Sequence, residues 1–470
     1  MPPRLARSVL ILAALLCGCL AENPIDTDAT TTGTSDTAGT DTAGEDGLFA
    51  CPSPPCTFVV VSQTLDDRVD VFEPGVGLRG RVDVDLKPDP SGQQIEGNLL
   101  DEPYELSLAP GSLKVLLGHY PDTDRASLVT FGAEALASVP AGGVLQVADY
   151  FTGGAFTGDV SDLPLAREEA IFLLEHPDGP LLVGVFNNYL KSADWSTPGQ
   201  LLIVDPDAGA IGAFDLGVLD PPCQGAWGLT ALADDHSRVA MACDGNDVVA
   251  IVDLPANLGA LDVTEAAAAL TGCSFQTPTG VSGKTTRFLA PDGDGGLLLA
   301  QSSAGEPPRL LTLDSGCSLI GLSSDHPAPY DAVRSTREVV AVPGAPRWLI
   351  AAGAPTAGVF VARGGQSPQL CGQVAGLDAH LDATNDPYAL ALDASGDHLV
   401  VGAGPSVNPE LSEGRGQVLW VTLDTSGITD CAVEATAVVD LTDGLFNAAD
   451  PQTWVRAPNV AQLLEIAGSG

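Results

Sequence analysis

A strand–turn–strand pattern recurs along most of this chain, and it constrains the fold more than any other feature. Residues 388–404 read YALALDASGDHLVVGAG, and residues 417–424 follow as QVLWVTLD. Residues 227–254 repeat the order as a strand, an Asp-rich turn, a strand, a second turn and a third strand. Short apolar runs separated by Asp, Gly and Pro turns are typical of antiparallel sheets. The sequence therefore predicts an all-β fold, with residues 263–270 (VTEAAAAL) as its one helical segment.

The number of repeats predicts a ring of blades. Similar units lie near residues 57–86, 104–150, 169–217, 226–265, 286–323, 337–376 and 387–441. Four short strands per unit are the signature of a β-propeller. The first unit lacks its opening strand, which residues 453–466 (TWVRAPNVAQLLEI) would supply. Such a strand would close the ring and cover an exposed sheet edge. We predict a β-propeller of seven four-stranded blades; the alternatives are six or eight blades, a solenoid or two sandwiches.

These units resemble those of YVTN/lactonase-like propellers, in which a segment like ALALDASGDHLVV precedes one like VLWVTLD. The resemblance covers about three quarters of the chain and implies an architecture rather than a reaction. The literal Tyr-Val-Thr-Asn tetrapeptide is absent from the sequence.

The amino terminus has the features of an export signal. Arg4 and Arg7 precede the apolar run 9–16, and Leu16-Cys17-Gly18-Cys19 ends it. A basic start, a short apolar run and small residues are typical of a secretory signal peptide. The run is too short to span a bilayer, which takes about twenty residues.

A cysteine placed after Leu-x-Gly resembles the lipobox of bacterial lipoproteins. The resemblance implies that residues 1–18 are a signal peptide, that Cys19 is lipidated and that several acyl chains anchor the protein stably. Leu20 rather than Asp follows, which favours the outer membrane. The alternative is an ordinary signal peptide with a chance cysteine. Residues 19–50 are rich in Thr, Ala, Gly and Asp and are predicted to be a disordered acidic tether. The propeller is expected over 51–470.

Charge and cysteine content describe the environment of the folded part. The chain has 20 Lys+Arg against 61 Asp+Glu, a net charge of −41, which excludes nucleic acid as a partner. Solubility explains the acidity; a surface that collects divalent cations is the alternative. Without Cys17 and Cys19, eight cysteines remain, an even number that suggests disulfides in an exported protein: Cys51, Cys56, Cys223, Cys243, Cys273, Cys317, Cys371 and Cys431.

Pairing of sequence neighbours is the default expectation: Cys223 with Cys243, Cys273 with Cys317, and Cys371 with Cys431. Cys51 and Cys56 enclose Pro52-Ser53-Pro54-Pro55. An extended path through these prolines would hold the two cysteines too far apart for a disulfide. This pair closes only if the prolines form a turn.

Candidate sites are few. Asp292 and Asp294 lie in one turn and would offer Ca²⁺ two carboxylates, but an ordinary hairpin turn explains them better. The turn at residues 244–247 has the same interpretation. Residues 278–285 (PTGVSGKT) approach a phosphate loop, but Pro278 replaces its first glycine. His236 and His398 occupy equivalent positions before the second visible strand of their units, so they are expected to be exposed turn residues.

One insertion combines amides with aromatic rings, as ligand-binding loops do. It contains Asn187, Asn188, Tyr189 and Trp195. A self-packed loop is the simpler interpretation. The equivalent insertion of another unit contains Asn408, Glu410 and Glu413, which would flank the same face of the ring.

The functional expectation is a lipid-anchored propeller of the bacterial cell envelope, at the outer membrane, that presents a binding surface. Its expected partners are the membrane, through the lipid, and an envelope protein, a peptide or a polysaccharide. No cofactor is predicted; Ca²⁺ is the ion to which the Asp292–Asp294 turn would be suited. The alternatives are a hydrolase or lactonase with a divalent cation in the central channel, and a calcium-dependent adhesin.

Overall fold

The computed structural model describes residues 47–466 apart from a set of short connecting segments. These segments are 64–67, 85–99, 110–111, 121–124, 140–141, 147–157, 165–169, 178, 186–197, 206–209, 233–235, 279–284, 292–295, 303–305, 383–384, 405–415 and 446–457. Among the described residues, no helix has the length and apolar character needed to cross a bilayer.

The described residues form short strands throughout the chain. The first fifteen are β1 Cys56–Gln63, β2 Arg68–Glu73, β3 Gly77–Asp83, β4 Leu100–Ala109, β5 Ser112–Tyr120, β6 Arg125–Gly132, β7 Gly143–Gln146, β8 Gly158–Pro164, β9 Ala170–Glu175, β10 Leu181–Val185, β11 Gln200–Asp205, β12 Ala210–Asp215, β13 Ala226–Ala231, β14 Arg238–Cys243 and β15 Val248–Asp253. The others are β16 Thr271–Gln276, β17 Thr285–Pro291, β18 Leu297–Ser302, β19 Arg309–Leu313, β20 Leu319–Ser323, β21 Thr336–Ala341, β22 Arg347–Ala352, β23 Gly358–Arg363, β24 Gln369–Ala375, β25 Asp386–Leu392, β26 His398–Gly404, β27 Gln417–Asp424, β28 Val433–Asp440 and β29 Pro458–Ile466.

Helical segments are few and short. The α-helices are α1 Ala133–Ala137 and α2 Val263–Ala269, the latter within the predicted helical segment. Single 3₁₀ turns are Leu216–Val218, Leu258–Ala260, Tyr330–Ala332 and Ile428–Asp430. The Asp262 carboxylate caps α2 by accepting the Thr264 N–H at 2.9 Å.

The described strands form seven antiparallel blades arranged as a ring, which is a β-propeller. From the axis outward, the blades are β29-β1-β2-β3, β4-β5-β6-β8, β9-β10-β11-β12, β13-β14-β15-β16, β17-β18-β19-β20, β21-β22-β23-β24 and β25-β26-β27-β28. The innermost strands contact each other in this same order, and β25 contacts β29. The prediction of a seven-bladed propeller is confirmed.

The carboxyl-terminal strand closes the ring, as the sequence predicts. β29 pairs with β1 along its length, from Cys56 opposite Ile466 to Gln63 opposite Pro458. The first blade thus combines strands from both ends of the described chain. Leu48 and Phe49, which precede β1, pack into the core of this blade, and the Phe49 and Phe58 rings lie 5.4 Å apart edge to face.

Residue patterns within each blade follow from how blades stack. Second and third strands lie between two neighbouring blades and are buried on both faces, so they read as continuous apolar runs such as VVAIVD in β15 and RLLTL in β19. Outer strands face water on at least one side, and buried residues alternate with partly exposed ones in the QLCGQVA segment of β24. This difference explains why the sequence pattern is sharpest for the middle strands.

Two blades extend beyond the predicted units. Blade 2 extends to Pro164 because the chain leaves it after β6, forms α1 and lends β7 to blade 1, where β7 pairs parallel to β3. Blade 4 extends to Gln276 because α2 is inserted between its third and fourth strands. The periodicity of strands alone contains no signal for such excursions.

The structure contains four disulfides, which use all eight remaining cysteines. Cys273–Cys317 and Cys371–Cys431 each join neighbouring blades at the circumference, and Cys223–Cys243 ties blade 4 to the segment that enters it. Cys51–Cys56 also closes, with Cα atoms 5.8 Å apart, because the chain bends through residues 52–54. The three default pairings are confirmed, and the proline segment forms the turn that the fourth pair requires.

Candidate functional site

The central channel is lined by the seven innermost strands, and each of them is irregular near its start. In every blade the pairing of the first and second strands shifts by one residue, as between Pro103 and Glu105 or between Thr336 and Glu338. The extra residue of each β-bulge reorients the side chains that follow it. We call the end of the ring where the innermost strands start the upper rim, and the opposite end the lower rim.

Two glutamates occupy the position directly after the bulge, Glu105 in blade 2 and Glu338 in blade 6. Both side chains are partly exposed, whereas the next residues, Leu106 and Val339, are buried between blades. Other blades have Val460, Phe172, Leu229 and Ala389 at this position. The two carboxyl groups therefore lie in a mostly apolar ring of side chains.

Enclosure by the blades raises the pKa of both glutamates. Desolvation raises the pKa of Glu105 from 4.5 to about 8, and the negative charge of Glu338 contributes to this shift. Desolvation likewise raises the pKa of Glu338 from 4.5 to about 7. Each carboxylate accepts the N–H of the following residue, Leu106 at 3.0 Å and Val339 at 2.9 Å, which opposes the shift only in part.

No cation among the described groups lowers either pKa, so the two carboxyls have no compensating positive charge there. An uncompensated carboxyl in a low-dielectric channel is held largely protonated rather than ionised. Near neutral pH, Glu105 is mainly a hydrogen-bond donor, and Glu338 is divided between its acid and base forms. This is the chemical feature that distinguishes the channel.

At the upper rim, an ion pair links blades 6 and 7. Nη2 of Arg337 lies 3.8 Å from Oδ2 of Asp386, and the guanidinium stacks 5.0 Å from the centroid of the Tyr388 ring. Burial raises the pKa of Asp386, and Arg337 opposes this effect. Gly353 permits the arrangement because a Cβ there would lie 2.7 Å from Oδ2 of Asp386. We interpret this ion pair as a link between blades.

At the lower rim, polar side chains are paired. Nζ of Lys114 lies 3.0 Å from both carboxylate oxygens of Glu175, joining blades 2 and 3. Nδ1 of His398 lies 2.8 Å from Oδ2 of Asp393, and its ring stacks 4.7 Å from that of Trp420. Burial alone would raise the pKa of Asp393, but the hydrogen bonds from His398 and Ser395 leave it lowered.

Of the two histidines predicted to be equivalent, His236 lies in the turn between β13 and β14, whereas His398 is the first residue of β26. The expected exposure was not found, because both rings are only partly exposed. The rings of His236 and His176 contact edge to face, with centroids 5.9 Å apart. Stacking against a neighbour is what the repeated turn provides at these positions.

Several predicted site residues lie outside the described residues. These are Cys19, the turn residues Asp292 and Asp294, the insertion residues Asn187, Asn188, Tyr189 and Trp195, and Asn408, Glu410 and Glu413. The segments of both insertions join a second to a third strand, so their flanking strands end at the upper rim. Their roles remain predictions.

The turn at residues 244–247 is described, and it is the predicted hairpin between β14 and β15. Asn246 stabilises the segment entering the blade: its Oδ1 accepts the Gln224 N–H at 3.1 Å, and its Nδ2 donates to the Pro222 carbonyl at 2.7 Å. Across the described part of the chain, no group of three or more His, Cys, Asp or Glu side chains is arranged to hold a metal.

Glu105 and Glu338 were missed from the sequence. Each follows a bulge residue in its unit, in EPYELSL and STREVVA, but neither segment looks distinctive on its own. Aligning the seven units on their bulges would have found the match. The bulge itself is not encoded in any obvious residue type, since Tyr104 and Arg337 occupy it in these two blades.

The fold and its channel define a seven-bladed β-propeller with two carboxyl groups in a mostly apolar centre, and comparisons with known proteins agree on the fold. No family model matches the sequence, and no curated protein matches it. Solved structures do: a putative 6-phosphogluconolactonase from Bacteroides uniformis is 10% identical with a TM-score of 0.50, over 88% of this chain and 100% of that chain.

Two further structures illustrate the range of matches. A protein from Lactobacillus plantarum is 13% identical with a TM-score of 0.49, over 88% of this chain and 100% of that one. The β-propeller domain of Cps50 (Swd1) from Myceliophteria thermophila is 11% identical with a TM-score of 0.41, over 69% and 82% of the two chains. At 10% identity, the match to the Bacteroides uniformis structure shows a likeness of fold alone.

Proposed function

We propose that this protein is a lipid-anchored β-propeller of the bacterial envelope that works as a binding scaffold. The observation that carries the proposal is the set of four closed disulfides, because disulfides persist in oxidising compartments outside the cytoplasm. Together with the export signal ending at Cys19, they support a folded ring held at a membrane by acyl chains.

The lengths of the connections support a binding role for the upper rim. Strands that end there are joined by long segments, such as 84–99, 186–199 and 405–416. Most connections at the lower rim are short, such as 342–346 and 393–397; the exceptions are 133–157 and 254–270, which contain α1, β7 and α2. Long loops on a rigid scaffold are where binding residues concentrate.

The lipid anchor is tested by replacing Cys19 and Cys17 by serine, one at a time. Cys19→Ser should abolish incorporation of radiolabelled palmitate and release the protein from membranes into the soluble fraction. Cys17→Ser is the matched control and should leave labelling and membrane association unchanged. If the Cys19→Ser protein still sediments with membranes, the proposed location is wrong.

A hydrolase is the second candidate, favoured by the two channel carboxyls with raised pKa values. Near neutral pH, an ionised Glu338 would act as a general base: it would take a proton from a water molecule while the oxygen of that water attacks a lactone carbonyl. A protonated Glu105 would donate a proton to the ring oxygen as the carbon–oxygen bond breaks, giving the hydroxy acid. Among the described residues, no group of three or more His, Cys, Asp or Glu side chains is arranged to hold a metal, so no step is assigned to one.

Hydrolysis of a panel of lactones separates the two candidates. The hydrolase candidate predicts turnover by the wild type and at least about a hundred-fold loss in both Glu105→Gln and Glu338→Gln. Glu134→Gln, an exposed position on α1, is the control. The scaffold proposal predicts no turnover above background for any of the four proteins.

A further inference from the structure

Most outer strands of the described blades are either covered or polar. β7 covers β3, and α2 packs on β12, where a Cβ at Gly212 would lie 1.9 Å from the Val263 carbonyl. β24 and β28 meet in parallel. β16 has no neighbouring strand on its outer side, but its TGCSFQ sequence is mostly polar. Natural sheets usually cover or polarise an edge, because an open apolar edge invites pairing with another chain.

β20 differs from these described outer strands because it is both uncovered and apolar. It is the last strand of its sheet and pairs only with β19. Leu319, Ile320 and Leu322 are 39%, 41% and 37% exposed. They are three of the seven large apolar side chains that are exposed among the described residues, and the other four are dispersed. This concentration of exposed apolar side chains on an unpaired sheet edge makes β20 a candidate interaction surface.

The strand is held in place on its buried side. Gly321 is buried, and a Cβ there would lie 2.1 Å from the Gly365 carbonyl of blade 6, so the turn of that blade rests on β20. The Cys273–Cys317 disulfide fixes the turn that leads into β20. The free edge is therefore preformed, which lowers the entropic cost of adding a strand to it.

The charges at the two ends of β20 indicate which kind of peptide segment would bind to its free edge. Asp314 precedes the strand, and the exposed Asp325 follows it. Arg238, which donates to the Ser315 carbonyl, is already paired with Asp253. Both ends of the edge thus favour a positively charged partner. A second copy of this chain, with a net charge of −41, would be repelled. The predicted tether offers only Leu20 and Ile25 as large apolar residues besides Leu48 and Phe49, which already pack into blade 1.

We infer that β20 is a docking edge for an extended segment of a partner protein, one that carries alternating aliphatic side chains and basic residues at its ends. The segment would add to blade 5 as a fifth strand, with backbone hydrogen bonds to the free edge and aliphatic contacts to Leu319, Ile320 and Leu322. This inference rests on the proposed binding role and names a surface and a partner chemistry for it.

The probe is the synthetic peptide acetyl-KVTVSVTK-amide, offered to the full-length exported chain in lipid nanodiscs. Binding is followed by fluorescence anisotropy, and hydrogen exchange with mass spectrometry locates the protected amides. We expect saturable binding, protection confined to the region of residues 318–325, and weakening by added salt. The matched peptides acetyl-EVTVSVTE-amide and acetyl-KVTPSVTK-amide should bind at least ten-fold more weakly.

Variants test whether the edge is responsible. Ile320→Lys and the uncharged Ile320→Ser should each weaken binding of the lysine-ended peptide at least ten-fold with unchanged thermal unfolding. Val439→Lys, at a dispersed exposed position on β28 that is 46% exposed, is the control and should stay within two-fold. Absence of binding to the wild type, or binding that ignores both Ile320 variants, overturns the inference.

Two further outcomes have definite meanings. A wild-type dimer in sedimentation that Ile320→Ser disrupts would assign the edge to a second copy and overturn the partner proposed here. Membrane association that survives Cys19→Ser would refute the anchor alone, because peptide protection of β20 is measured on the ring itself. The failures of the two proposals are thus distinguishable.

Discussion

The innermost strands of the ring contact one another in an unbroken circle, whereas the outer strands fan apart toward the circumference. At the centre, β29 contacts both β25 and β4, and the innermost strand of each following blade contacts the innermost strand of the next blade. At the circumference, the gaps between blades are crossed by Cys273–Cys317 and Cys371–Cys431. Covalent links are thus found where diverging sheets bury little surface.

The two regions also treat charge differently. The channel has two carboxyls without a described counter-charge, Glu105 and Glu338. Toward the middle of blade 1, the fully buried Asp70 lies 3.3 Å from Nε of Arg68 and 3.0 Å from Nε of Arg81. Burial raises the pKa of Asp70, and both arginines oppose the shift. Structural carboxylates are paired, so the unpaired ones are candidates for function.

The largest effect should come from opening the inner circle. Ending the chain at residue 457 removes β29 and exposes the edge of β1 along its whole length. We expect a loss on the order of 5 kcal/mol or more, comparable with the total stability of many domains. Guanidinium unfolding followed by tryptophan fluorescence measures it. Ending the chain after Ile466 is the control; equal stability of the two truncated chains would contradict a closed ring.

Removing a disulfide should have the second largest effect on stability. The double variant Cys371→Ser/Cys431→Ser removes a crosslink of sequence separation 60 and should cost about 4 kcal/mol, because the unfolded chain gains loop entropy. Cys51→Ser/Cys56→Ser removes one of separation 5 and should cost about 2 kcal/mol. Urea unfolding of both variants tests the order, and a reversed order would mean that native strain rather than loop length decides.

Glu105→Gln should stabilise the protein at high pH. Between pH 4.5 and about 8, the unfolded chain releases a proton that the folded chain keeps, so wild-type stability falls as pH rises through this window. Relative to the wild type, the variant should gain roughly 1–3 kcal/mol at pH 8.5, discounted for water in the channel, and nothing at pH 4. Unfolding free energies across this range measure it. A difference between Glu105→Gln and the wild type that stays flat across this range would refute the raised pKa.

Asp393→Asn should have the smallest effect and the opposite sign. Its lowered pKa means that the folded chain ionises more readily, so this contribution to stability is present above pH 4 and is lost as pH falls below it. We expect a cost of about 1 kcal/mol at pH 7, since the one amide oxygen of Asn can still accept the His398 backbone N–H, but its Nδ2 cannot accept from the His398 ring or the Ser395 hydroxyl. Thermal unfolding between pH 3 and pH 7 checks it, and a cost that persists undiminished at pH 3 would argue against ionisation as the cause.

Much of the fold was predictable because stacked blades demand a repeating pattern. The buried middle strands are apolar runs bounded by turns, and these gave the seven units and the closing strand. The excursion that lends β7 to blade 1 was not predictable, because pairing between β3 and β7 depends on where the ring brings them together. Disulfide pairing followed chain proximity, since adjacent units form adjacent blades.

The sequence by itself determined the middle strands, the ring closure by residues 458–466 and the expected pairing of three of the four cysteine pairs, because these depend on local periodicity and on the order of units along the chain. Only the tertiary structure brought Glu105 and Glu338 into one channel and left β20 uncovered. Residues far apart in the chain share a desolvated space only after the blades close, and an edge is exposed only when no other element reaches it. Both properties depend on position in the ring rather than on residue type.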